Sequence, residues 1–356
     1  MNPGITQPTP AAIARAVERL RAGELVAFPT ETVYGLGADA DNDDAVRAIF
    51  AVKGRPAAHP VIVHLADNAQ LPYWVREIPP DARRLAEAFW PGPLTLILPR
   101  AASVSDAVTG GQDRVGLRRP SHPVARALLD AFAAAGGKGV AAPSANRFGR
   151  ISPTTAQHVS DDLGESIALI LDGGACDVGI ESTIVAFGVG EPMLLRPGGV
   201  PVAEIARVLG RMPRAPDCEA PRASGTLAAH YAPRTPARIM SAGALASACM
   251  ESTGSIAVLA RTFGRPDQFT GGWIDAPREA AGYAHDLYAN LRALDATGAT
   301  VILVEAVPDD AQWQAVHDRL KRATNGPPKT PPASSPLRGH PPWGGPAAGS
   351  DDDDRD

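Results

Sequence analysis

The chain has 356 residues, 44% hydrophobic and 21% charged, more than one core supports, so two domains with connecting segments are expected. No apolar run reaches the roughly 18 residues of a membrane span, the start Met1-Asn2-Pro3-Gly4 lacks the parts of a secretory signal, and Cys176, Cys218 and Cys249 form no CxxC pair; a reducing cytoplasm is therefore the expected location. Net charge is −5, most of it in the terminal run Asp351–Asp356, and the nearly neutral remainder excludes a protein that coats nucleic acid through a broad basic face.

Thr9-Pro10, then Ile13, Val17 and Leu20 at helical spacing, predict a capped amphipathic helix that ends at Gly23. A short buried strand follows at Glu24–Phe28. The alternation continues with helices at Asp44–Ala51, Asp81–Phe89, Pro123–Ala135 and Val202–Leu209. Between them come strands at Val61–Leu65, Leu94–Leu98, Val115–Leu117, Val140–Ala142, Ala168–Leu171, Thr183–Phe187 and Met193–Leu195. That order predicts an α/β domain with a mixed, twisted sheet. From Arg211 to Pro236 the chain is rich in Pro, Arg and Ala and reads as a linker. A second α/β unit then has strands at Arg238–Met240, Ile256–Leu259 and Thr300–Val304 and helices at Ala244–Glu251, Glu279–Leu294 and Asp310–Ala323. The expected division is 8–209, linker 210–236 and 237–325, with a disordered Pro-rich and acidic tail at 326–356.

Lys53, Arg55, Arg114, Arg118, Arg119 and Arg196 all fall at the ends of predicted elements or in adjoining loops, where ligands of open α/β sheets bind. Guanidinium forks fit carboxylate and phosphate, so several anions suit such a place; taken singly, most of these residues read as solvated surface charges, and it is their company that favours a site. Arg118 and Arg196 follow strands and precede Arg119-Pro120 and Pro197-Gly198, which gives them rigid supports. Ser144 and Asn146 follow Pro143 and suit phosphate or ribose oxygens, or alternatively a turn. Thr30, Glu31 and Thr32 suit the ammonium and hydroxyl of a small amino acid, with a hydroxyl turn as the other reading. Gly35-Leu36-Gly37-Ala38-Asp39-Ala40 formally matches a dinucleotide loop, but no strand opens directly into a helix there. His64 closes an apolar strand and reads as a substrate contact or as a satisfied structural histidine. No histidine or cysteine spacing fits zinc, whereas Mg2+ arrives readily with nucleotide phosphates.

Pro29–Gly37, Lys53-Gly54-Arg55, Trp90–Thr95, Ser144-Ala145-Asn146, Glu181-Ser182-Thr183 and Leu195–Gly198, in that order, resemble the YrdC-like domain of the threonylcarbamoyl-AMP synthase family. His230-Tyr231-Ala232-Pro233 and the further domain look like its longer, two-domain form. The resemblance implies a YrdC-like twisted mixed sheet with a concave basic cleft, plus a smaller C-terminal Rossmann-like α/β domain. It implies a nucleotidyltransferase that forms threonylcarbamoyl-AMP and pyrophosphate from L-threonine, bicarbonate and ATP. The product would pass to the threonylcarbamoyl-transfer machinery that modifies tRNA beside the anticodon, with tRNA contact indirect. Carried over residue by residue, it implies threonine contacts at Thr32, His64, Arg118, Ala142 and Ser182. For ATP it implies Lys53, Arg55, Ser144, Asn146, Ser152, Arg196 and Tyr231, with Lys53 and Arg55 catalytic through their charge. His59 and Arg114 join the ATP set by position, although the family often has Asn and Thr there. Ala223–Ala229 departs from the usual linker sequence, which implies looser linker contacts.

Two rival classes remain. An RNA-binding module predicts salt-sensitive tRNA binding without turnover, against the near-neutral body and the lack of basic-aromatic interleaving. A carbamoyl-transfer maturation factor for hydrogenases would carry Cys-rich zinc modules, which this sequence lacks.

Overall fold

A computed structural model describes residues 4–188, 190–251 and 255–326; the tail expected to be disordered lies outside the described residues, apart from Gly326. The chain forms strands β1 (Ile5–Thr6), β2 (Val26–Phe28), β3 (Gly35–Asp39), β4 (Ile62–His64), β5 (Leu94–Pro99), β6 (Arg114–Arg118), β7 (Val140–Ala141), β8 (Leu169–Leu171), β9 (Thr183–Ala186) and β10 (Met193–Arg196), then β11 (Ala237–Met240), β12 (Ile256–Ala260), β13 (Gly272–Asp275) and β14 (Val301–Glu305). The first ten make one mixed sheet, in the order β1-β8-β2-β3-β7-β4-β6-β5-β9-β10. The last four make a separate, wholly parallel sheet, β11-β14-β12-β13. Among the described residues no helix is long and apolar enough to cross a membrane.

The helix Pro10–Arg21 forms where Thr9 accepts the Ala12 N–H and Pro10 fills the first turn. Its apolar face, Ile13, Ala16, Val17 and Leu20, packs with the helix Pro123–Ala134 on one side of the large sheet. The helix Asp43–Lys53 is capped by Asn42 and ends at Gly54, whose φ of 64° only glycine adopts without strain. That stop sets Lys53 in the last turn, its side chain directed inward.

Several elements escape the sequence pattern, among them β1, β3, β13 and the helices Leu71–Trp74, Asp106–Thr109 and Ala156–Leu163. β3 is Gly-Leu-Gly-Ala-Asp, poor in strand formers, and is held as a strand by antiparallel pairing to β2 and β7. Its two glycines let neighbours close in: a Cβ on Gly37 would lie 2.8 Å from the Phe28 ring. This strand also removes the strand-to-helix turn that a dinucleotide loop requires. The helix Ala156–Leu163 and the strand β13 are short and weakly patterned.

Register brings distant residues together. β4 and β6 run parallel with His64 beside Arg118, and β5 pairs with β9 just beyond Ser182. Gly198 lets the turn after β10 cross the start of β9, where a Cβ would sit 2.3 Å from the Glu181 carbonyl oxygen and 2.5 Å from the Ser182 carbonyl carbon. We expect Gly198→Ala to cost about 1–3 kcal/mol of stability through overpacking against backbone, read as a lower urea midpoint at unchanged slope; an unchanged midpoint would show that the crossing relaxes freely.

Candidate active site

Turns at the ends of β2, β4, β6, β7 and β10 converge on one cleft, about 630 Å3 counting its open mouth. Four cations line it, Lys53, Arg55, Arg118 and Arg196, and all four are buried. Thr32, His64, Ala142, Ser144, Asn146, Ser182 and Tyr231 share the same wall. The structure thus brings together eleven of the fourteen positions selected from the sequence.

Three of the four cations are held mainly by backbone carbonyls. Lys53 Nζ donates to the carbonyls of Ser144 (2.5 Å) and Asn146 (2.6 Å). Burial, followed by the charge of Arg55, drives its pKa well below the usual lysine value. Arg55 donates to the Pro60 carbonyl (2.7 Å) and the Ser224 hydroxyl (3.2 Å), and burial brings its pKa down to about 10, so it remains a cation at neutral pH. Arg196 reaches the Ser182 carbonyl through Nε and Nη2 (3.1 and 2.9 Å) and the Ser224 carbonyl through Nη1 (2.8 Å). Arg118 stands 2.8 Å from the Glu31 carboxylate, and both side chains are about 5% exposed.

The small polar residues divide between turn-making and lining. Thr30 Oγ1 donates to the Val33 carbonyl (2.6 Å) and accepts the Thr32 N–H (3.2 Å). This is the ordinary hydroxyl turn, and it presents Thr32 on the wall. Asn146 spends its amide on the carbonyls of Arg147 and Arg150 (2.9 and 2.7 Å), so it shapes the loop after β7. Ser182 Oγ lies 2.7 Å from Thr95 Oγ1. His64 is buried beside Arg118, and burial with that charge pulls its pKa down to about 3.

Three selected positions stand outside the lining. His59 is only half-buried and sets its ring edge-on to Phe148, 5.6 Å between centroids. Arg114 turns to the Phe187 carbonyl and to a separate, smaller hollow. Ser152 lies behind the wall, donating 2.6 Å to Glu181 Oε1.

Other cleft residues were given no site role from the sequence, although Glu181 and His230 stand in quoted motifs. Glu181 lines it; burial pushes its pKa up, but Arg319 and then Arg196 outweigh this and hold the carboxyl down to about 2. Ser224, Gly225 and His230 come from the linker. The looser linker expected from Ala223–Ala229 is not what forms, since Arg222 pairs with Gln112 and Gly110, Ser224 meets two cleft arginines, Leu227 and His230 bond to Arg322 in the helix Gln314–Thr324, and Ala228 bonds to Asn325 just after it. Tyr231 has φ 61°, a left-handed backbone that costs an aromatic residue roughly 1–3 kcal/mol and is held by burial of its ring. Among the described residues no three His, Cys, Asp or Glu side chains cluster as a metal site.

Fold and cleft together define a two-domain α/β protein of YrdC-like type. Residues 18–198 match the family Sua5_yciO_yrdC, described as telomere recombination, and residues 200–325 match Sua5_C, described as the threonylcarbamoyl-AMP synthase C-terminal domain. The threonylcarbamoyl-AMP synthase of Pyrococcus abyssi is 40% identical over 321 residues, 86% of this chain and 92% of that protein. The Bacillus subtilis enzyme of the same name is 39% identical over 88% and 93%. The crystal structure of P. abyssi Sua5 complexed with L-threonine superposes with a TM-score of 0.80 at 38% identity, covering 88% of this chain and 94% of that one. The chain belongs to the threonylcarbamoyl-AMP synthase family.

Two expectations follow. Lys53→Ala should cut turnover by at least about 100-fold, the scale of losing one preorganised charge, and cost about 1–3 kcal/mol because two buried carbonyls lose their donor; wild-type rates in a folded variant would refute it. The acid response has a definite sign as well. Burial holds both His64 and His230 neutral, down to about 3 from an ordinary 6.5, so the unfolded chain binds protons that the native one refuses. Their contribution is complete above pH 6.5 and is lost as pH falls below it, by up to about 1.4 kcal/mol per unit for each. An unfolding midpoint that stays flat from pH 7 to 5 would overturn this.

Proposed function

We propose that this cleft joins L-threonine, bicarbonate and ATP into threonylcarbamoyl-AMP, releasing pyrophosphate, as a nucleotidyltransferase serving tRNA modification. The supporting observation is the convergence of Lys53, Arg55, Arg118 and Arg196 on one buried wall that also carries Thr32, His64 and Ser182. Threonine carboxylate, carbamate and triphosphate repel one another, and cations fixed in a desolvated site offset that repulsion without reorganising.

The wall divides into two neighbouring parts. Arg118, His64, Thr32 and Ser182, with the backbone at Ala142, would hold threonine, Arg118 meeting its carboxylate. Lys53, Arg55, Ser144, Asn146, Arg196 and Tyr231 would hold the nucleotide. Lys53 would act partly through the Ser144–Asn146 turn that it fastens, and Ser152 through Glu181, which it hydrogen-bonds. His59 and Arg114 have no part in this reading. The threonine amine attacks the carbon of bicarbonate or of carbon dioxide; a C–N bond forms, protons are lost, and water leaves where bicarbonate is the source. A carbamate oxygen then attacks the α-phosphorus, the α–β bridge breaks, and its electron pair departs on pyrophosphate. Every bond made or broken lies in the substrates, so no covalent link to the enzyme is needed and positioning carries the rate. Mg2+ would be carried by the phosphates and would lower their charge, because the nearby carboxylates are already engaged, Glu181 on the cleft wall by Arg319 and Glu31 beside it by Arg118.

On this reading residues 8–209 are the catalytic domain, 210–236 a linker forming part of the site, and 237–325 a domain that supports it. The adenylate would pass in the cytoplasm to a separate transferase acting on tRNA. The direct test is pyrophosphate release by the purified chain with threonine and bicarbonate withheld in turn: release requiring both is expected, and release with ATP alone would identify a different ATP-consuming enzyme. Cleavage at Arg222 should also slow once ATP and threonine are added, since Ser224 and Gly225 line the nucleotide part; unchanged cleavage would mean that this segment does not respond to substrate.

A further inference from the structure

A buried carboxylate, that of Glu181, is bonded from both domains. Its Oε1 accepts the Ser152 hydroxyl at 2.6 Å, while its Oε2 accepts Tyr288 Oη at 2.9 Å and Arg319 Nε at 2.8 Å. Tyr288 lies on the helix Ala280–Asp295 and Arg319 on the helix Gln314–Thr324, both in the second domain. Arg319 is 0% exposed. Its Nη1 also meets the Pro197 carbonyl (2.9 Å) and Asp318 (2.7 Å), and its guanidinium carbon lies 5.3 Å from the centre of the Tyr231 ring. Asp318 in turn holds Arg322, which donates to the Leu227 carbonyl of the linker.

A carboxylate on the wall of a phosphate-binding cleft is a liability unless its charge is met. Two arginines are near. Arg196 directs its guanidinium to the carbonyls of Ser182 and Ser224, and among the described residues the ion pair of Glu181 is with Arg319. With Arg319 gone, the buried carboxylate would have Arg196 as its remaining nearby cation and would compete for it with the nucleotide.

We propose that Arg319 of the second domain is a positioning residue for the nucleotide part of the site: it neutralises Glu181 and seats the Tyr231 ring, leaving Arg196 available to phosphate. The proposal rests on the reading that this cleft binds ATP. It gives the second domain a share in the chemistry although it lends no atom to the substrates.

The test compares wild type, Arg319→Gln, Glu181→Gln and the double variant, as full chains. A non-hydrolysable ATP analogue is titrated by calorimetry, and pyrophosphate release is followed with ATP or threonine varied. We expect Arg319→Gln to weaken analogue binding at least about tenfold, through an unpaired buried carboxylate, with the threonine KM little changed. Adding Glu181→Gln should recover most of that loss, which a merely structural role would not allow. Analogue affinity within about twofold of wild type in Arg319→Gln, or no recovery in the double variant, overturns the proposal. If Arg319→Gln fails to fold, the double variant decides alone: a cooperative fold with near-wild-type analogue binding supports charge compensation, and its absence overturns it. A wild-type chain that binds no analogue also overturns it. Wild type that binds the analogue but releases no pyrophosphate with threonine and bicarbonate refutes the proposed reaction, and the pairing is then judged on calorimetry.

Discussion

Four cations enclosed in one hollow must be satisfied without being neutralised. A carboxylate beside each would complete their hydrogen bonding and cancel the field that an anionic ligand needs. The molecule instead uses peptide carbonyls: those of Ser144 and Asn146 for Lys53, of Pro60 for Arg55, and of Ser182 and Ser224 for Arg196. A carbonyl removes the desolvation penalty of a buried donor while leaving its formal charge intact. Arg118 is the exception, facing Glu31, and it lies in the part assigned to an amino acid, whose own ammonium gives a carboxylate a use.

Supplying those carbonyls explains much of the local architecture. Most come from chain that flanks a strand, outside its ladder, as in Ser144–Asn146 after β7, Pro60 before β4 and Ser182 before β9. Gly54 ends a helix so that Lys53 faces inward, and Gly198 lets one turn cross another within van der Waals range of its backbone. The linker closes the arrangement, since Ser224 offers its hydroxyl to Arg55 and its carbonyl to Arg196.

Strong periodicity and clear punctuation made much of this legible. The helix at Pro10, the stop at Gly54 and the short apolar runs of β4, β5, β6 and β9 all carry local signals. β3 carried none, because its Gly-Leu-Gly-Ala-Asp becomes a strand only through its neighbours. In the cleft, cations beside Pro and Gly at strand ends could be selected because position and charge coincide there. His59 and Arg114 show the limit of that argument, since adjacency to an element's end does not fix which way a side chain turns. The link between Glu181, which stands in a quoted motif, and Arg319 was beyond reach for another reason. Their pairing spans 138 residues, and nothing local in a polar helix such as Gln314–Thr324 distinguishes a buried arginine from its solvated neighbours.

Tyr231, in its left-handed turn, has a consequence for how this chain can vary. Six residues upstream, Gly225 has no room for a side chain, because a Cβ there would lie 2.1 Å from the Tyr231 hydroxyl; downstream, Ala232 pairs with Arg150 of the first domain. The intervening stretch is fastened at both ends and has no slack. Surface connections usually tolerate added or lost residues, but here one extra residue would turn the ring out of its slot. Length drift, circular permutation and tag insertion should be rejected at this connection and accepted at the exposed turns around Gly136 and Gly264.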